Sequence, residues 1–113
     1  MPKRIAVVIS EDPLTTARPV EALRIALGLA AGDHDTTVVL LGRASTLLGD
    51  DIDEIIDVDI LEKYLPSFKQ LGVSFVIEAG TPMDVSPLGF SVMTRTADEI
   101  RRFVRSVERS LIF

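Results

Sequence analysis

The chain has 113 residues, of which 47% are apolar and 26% charged, and a formal net charge of −5. That length leaves room for one core, and the composition is that of a folded globular domain rather than a disordered segment. The negative balance excludes a nucleic-acid partner, because neutralising phosphates requires a concentrated basic surface.

The sequence begins MPKRIAVVISEDP. Its apolar run stops at Ser10 and meets Glu11, Asp12 and Pro13, whereas a secretion signal continues for about 7 to 15 apolar residues. No stretch approaches the roughly 20 apolar residues of a membrane span. A cytoplasmic chain with no membrane partner is expected. RIAVVIS (4–10) is short, continuous and β-branched, as suits a strand covered on both faces.

RPVEALRIALGLAA (18–31) follows as a helix. Val20, Leu23, Leu27 and Ala30 lie on one stripe, Ile25, Ala26 and Leu29 widen it, Pro19 suits its first turn and Gly32 its end. TTVVLLG (36–42) and GVSFVIE (72–78) repeat the buried-strand pattern. Between them, Asp59 and Glu62 have capping-box spacing, with Leu61, Tyr64, Leu65, Phe68 and Leu71 on one helical face and Pro66 placed to kink or split the helix. LGFSVM (88–93) is a shorter strand. Thr96 and Glu99 form a second capping box, opening a helix with an apolar stripe of Ile100, Phe103, Val104 and Val107. SLIF (110–113) supplies a fifth strand.

Strands alternating with helices imply βαβ units. The expected architecture is α/β, a three-layer α/β/α sandwich with a mostly parallel five-stranded sheet, spanning 1–113 as one domain. In such sheets ligands collect at the carboxyl ends of the strands. The loops there are 11–16, 43–45, 78–84 and 94–96, and they carry the candidate site residues Glu11, Thr15, Arg43, Glu78, Thr81 and Arg95.

Each candidate has a plainer explanation. Glu11 and Asp12 resemble the magnesium-binding acids of a receiver domain, but no phosphoacceptor Asp ends a later strand and no Lys ends the last one. The same loop lacks the glycines of a flavodoxin-type phosphate loop. The acidic run 50–62 lacks the glycine and alternation of a calcium loop and reads as a solvated helix face. No metal and no cofactor is expected. His34, in a turn between Asp33 and Asp35, reads as solvent-facing. Arg101, Arg102, Arg105 and Arg109 read as an exposed face with local ion pairs to Asp98 and Glu108, the sharper alternative being a docking surface for an acidic partner or another copy of the chain. Arg43 and Arg95 could each hold an anion.

Taken together, RIAVVIS, EALRIALGLAAGDHDTTVVLLGRA, LPSFKQLGVSFVIEAGT and FSVMTRTADEIRRFVRSVERSLIF resemble the DsrE/DsrF-like proteins, a sulfur-relay group that includes subunits of tRNA 2-thiolation complexes. The resemblance covers essentially the whole chain and rests on distributed pattern. It implies assembly into dimers, trimers or hexamers of like or related subunits. It also implies a persulfide-carrying cysteine after the third strand, and matching GVSFVIEAGT to that segment places Glu78 there. The sequence contains no cysteine. A carboxylate oxygen cannot carry sulfane sulfur, which requires a polarisable thiolate.

The expected role is therefore a DsrE-like subunit without the sulfur-carrier cysteine, noncatalytic, forming homo-oligomers or hetero-oligomers with related subunits. PLGF (87–90) and the outer helix faces would be buried against other chains. One alternative is a small-ligand or nucleotide-binding protein with Arg43, Glu78, Thr81 and Arg95 around a pocket. Another is an enzyme using Glu78 as general acid or base, against which Glu78 would simply accept hydrogen bonds from its own tight turn.

Overall fold

The computed structural model describes residues 3–49, 52–81 and 90–113. Strands β1 (Arg4–Ile9), β2 (Asp35–Leu40), β3 (Ser74–Glu78), β4 (Ser91–Arg95) and β5 (Arg109–Ile112) form one sheet in the order β4-β3-β2-β1-β5. Every neighbouring pair is parallel. In β1 and β2 all but the first residue of each strand is buried, which explains why both read as unbroken apolar runs.

Register assigns the faces. Val7 lies opposite Val38 and Leu111, Val38 opposite Phe75, and Phe75 opposite Val92, so these side chains share one face. Helices α1 (Arg18–Ala31) and α2 (Val58–Leu71) pack there, around Leu23, Leu61 and Phe68. A 3-10 helix over Gly42–Leu48 joins them, with Ala44 to Leu48 buried. Phe75 meets Phe68 and Phe90 edge-on, with ring centres 5.4 and 5.8 Å apart. The alternate residues Ala6, Val8, Val39 and Val76 face the other way, against Ile100, Phe103 and Val104 of α3 (Ala97–Ser106) and Val107, the residue that ends it. The three-layer α/β/α sandwich is thus the observed architecture.

Several local expectations change. The buried stripe of α1 runs through Pro19, Val20, Ala22, Leu23 and Ala26, so Val20 and Leu23 are buried as expected while Leu27 and Ala30 are only partly buried. Gly32 ends that helix, but the left-handed residue is Asp33 (φ 67°), and His34 N–H donates to Leu29 O while Asp33 N–H donates to Ala30 O, a Schellman closure. Asp59 and Glu62 do not cap α2. The N-cap is Asp57, whose carbonyl takes Ile60 and Leu61 N–H, leaving Asp59 inside the first turn. Pro66 does not split α2, which continues through it.

The fourth strand starts at Ser91 rather than Leu88; residues 88 and 89, like 82–87, lie outside the described residues. His34 is half-buried rather than free, and its Nδ1 accepts the Lys3 N–H at 3.1 Å, tying the entry of β1 to the entry of β2. Arg101 pairs with Asp98 as expected. Glu108 instead turns its carboxylate to the Arg4 N–H at 3.3 Å.

Candidate functional site

Backbone geometry accounts for the residues at the carboxyl end of β1. Asp12 Oδ1 accepts the Leu14 N–H at 2.9 Å, and its carbonyl accepts Thr15 N–H, Thr16 N–H and the Thr15 hydroxyl. This is an Asx-type turn, and it employs Thr15 in holding the loop. Glu11 pairs with Arg18, both well exposed. Arg43, in the 3-10 helix rather than a loop, reaches Asp12 Oδ2 with its Nε at 3.8 Å while 70% of its side chain stays exposed. A long, exposed pair of that kind contributes little.

The other group lies at the ends of β3 and β4. Glu78 and Arg95 are register partners, each the last residue of its strand, so Arg95 does not belong to a loop. Ala79 N–H donates to Arg95 O at 2.8 Å and extends the pairing. The chain then turns through Gly80 (φ 88°), where Glu78 O accepts both the Thr81 N–H at 3.2 Å and its hydroxyl at 2.5 Å. Thr81 therefore closes the turn through the backbone of Glu78. The Glu78 carboxylate is half-buried and forms no ion pair among the described residues. Arg95 folds along its own strand, donating Nη1–H to Thr94 O at 2.9 Å and directing Nη2 to Met93 Sδ at 3.5 Å.

Sheet order keeps these groups apart. With β3 and β2 between β4 and β1, and strands about 4.8 Å apart, Arg95 and Asp12 stand roughly 14 Å from each other across the sheet. Glu11, Thr15 and Arg43 gather at one place, Glu78, Thr81 and Arg95 at another. Among the described residues no three carboxylate or imidazole groups converge as metal ligands.

A further depression on the described surface lies elsewhere. A groove of about 360 Å³ runs between α3 and the β3–β4 side of the sheet, lined by Thr37, Val76, Met93, Ile100 and Phe103, with Arg95, Glu99 and Arg102 at its rim. Of the residues singled out as site candidates, only Arg95 lines it. Glu99 is fixed by the capping box: its Oε1 accepts the Thr96 N–H at 2.9 Å while its own N–H donates to Thr96 Oγ1 at 3.2 Å. Those hydrogen bonds from Thr96 hold the Glu99 carboxyl below its ordinary pKa, and Arg95 and Arg102 add to the effect. A smaller hollow of about 280 Å³ between α1 and α2 includes Arg24, Ile60 and Tyr64, but Arg24 there is already paired with Glu21.

The groove had a signal in the sequence. Alternation puts Val76 and Glu78 of β3, and Met93 and Arg95 of β4, on one face, and the only helix predicted after β4 is short. One helix is about 10 Å across, whereas five strands at about 4.8 Å spacing span roughly 20 Å, so part of that face stays open.

Residues 3–81 match the model of the DsrE/DsrF-like family. No curated protein matches. The crystal structure of the ychN protein from E. coli has the same fold, with a TM-score of 0.74 over 98% of this chain and 99% of that one at 16% identity. The family match takes in β1 to β3 with α1 and α2, the part of the chain that builds the larger core, and the chain belongs to the DsrE/DsrF-like family.

Proposed function

We infer that the chain serves as a DsrE-like subunit that carries no sulfur itself and acts by assembling with like or related subunits. The first part rests on chemistry. The sequence has no cysteine, and Glu78, at the end of β3, offers only hard oxygen atoms where sulfur transfer needs a thiolate. Nor, among the described residues, does Glu78 form an ion pair with a companion that would make it a general acid or base, since Arg95 beside it is turned toward Met93 and Thr94.

The second part is carried by β5. Parallel strands are normally covered on both faces, yet every residue of this strand is exposed. Leu111 is 36% exposed on the α1 side and Ile112 is 62% exposed on the α3 side. The outer edge of β5 has no neighbour in the sheet. Beyond Arg109 and Ser110 this edge exposes the adjacent Leu111 and Ile112, and an edge strand with apolar side chains and unpaired backbone groups is a template for another chain unless covered. β4, the opposite edge, is largely polar on its exposed positions. β5 therefore fits contact with a second subunit, the simplest being another copy.

Two measurements test the reading. Light scattering on the purified chain at micromolar concentration is expected to give a mass greater than one chain; a mass of one chain, with no DsrE-like companion retained from extract, would remove the assembly. After exposure to polysulfide and gel filtration the chain is expected to hold no sulfane sulfur. Retention in stoichiometric amount would overturn the other half.

A further inference from the structure

We propose that the groove between α3 and the β3–β4 side of the sheet binds a small organic monoanion with an apolar body, of the medium-chain carboxylate class. Its floor is apolar: Val76 and Met93 from the sheet, Ile100 and Phe103 from α3. At about 360 Å³ it stands at the small end of ligand-sized clefts. Its rim carries the guanidiniums of Arg95 and Arg102, and among the described residues neither pairs with a carboxylate. Glu99, the one acid in the lining, already spends an oxygen on the Thr96 N–H.

Charge decides the class. The protein as a whole is negative, so two guanidiniums facing one engaged carboxylate form a local reversal of sign. Guanidinium forks match carboxylates in geometry and gain from the lower dielectric beside an apolar floor. A neutral apolar molecule would leave unused Arg102 and the donors of Arg95 that are not already spent on Thr94 O and Met93 Sδ, and a short anion would leave Val76, Ile100 and Phe103 uncovered. Only an occupant with both features uses the whole groove. The Glu78 carboxylate, next to Arg95 in register but outside the lining, disfavours more than one negative charge. This site lies toward the sheet edge opposite β5, so it stands or falls separately from assembly.

The test titrates octanoate, 1-octanol and acetate into the ¹⁵N-labelled native chain, followed by amide shifts. Octanoate is expected to saturate, with the shifts concentrated at Val76 and between Met93 and Phe103. Octanol and acetate should each bind at least about tenfold more weakly, as loss of a charge-assisted hydrogen bond or of the apolar body implies. Arg102→Gln and Arg95→Gln, both at exposed positions, should each weaken octanoate about tenfold, whereas Arg24→Gln on α1 should not. Equal binding of octanol and octanoate, unchanged octanoate affinity in both groove variants, or shifts elsewhere or without saturation would each overturn the proposal.

Discussion

Thr96 and Glu99 show how two side chains start an element. Each satisfies a backbone N–H of the other that the first turn of α3 would leave unpaired. Thr96→Ala is expected to cost about 1 kcal/mol, the usual loss of an N-cap. The charge of Glu99 adds a pH dependence with a definite sign. Hydrogen bonds from Thr96 depress its pKa in the folded chain, so its contribution is fully present above the ordinary carboxylate range and is lost as pH falls through the depressed value. Thermal melts of the native chain and Glu99→Gln should therefore differ at neutral pH and converge in acid. A gap that stays constant with pH would mean that the carboxylate charge is irrelevant to the cap.

α2 contains an internal conflict. Pro66 sits inside Val58–Leu71, is exposed, and lacks the N–H that would bond Glu62 O. Pro66→Ala is expected to raise stability by roughly 1 to 3 kcal/mol, less than the full helix-propensity difference because proline also restricts the unfolded chain. Urea unfolding should show a higher midpoint with unchanged slope; a lower midpoint would mean that the ring makes packing contacts its exposure conceals. Elements were legible in the sequence wherever apolar residues were sparse enough to mark a face, as in α3, whose Ile100, Phe103 and Val104, with Val107 just beyond its end, all meet the sheet. α1 was only partly legible: Val20 and Leu23 are buried as its pattern indicates, but apolar residues occur almost all round it and the rest of the buried face is built from Pro19 and the small Ala22 and Ala26. The start of β4 was misplaced for a related reason: Phe90 belongs to the aromatic core before the strand begins, whereas Met93, Thr94 and Arg95 lie on an exposed edge. The 3-10 helix went unread because Gly42–Leu48 is too short for a helical period, although its last five residues are buried.

The whole molecule decides what no single segment can. Strand order separates Arg43 from Arg95, and the span of α3 relative to the sheet leaves the groove open; neither is a local property. The same holds for β5, where four residues pair only with β1. This gives a substitution whose effects on fold and on assembly diverge. Ile112 is 62% exposed, so Ile112→Lys should change the stability of an isolated subunit by no more than about 0.5 kcal/mol, as at other surface positions. In an assembly built on β5 it would bury an unpaired charge and set like charges near one another, which costs several times more. The variant should therefore have the light-scattering mass of one chain under conditions where the native protein is larger. Its melting temperature should no longer rise with protein concentration, because that dependence comes from association of folded chains alone. A variant that keeps the native mass would place the contact on another surface, and one that unfolds in dilute solution would show that β5 serves the core of its own chain.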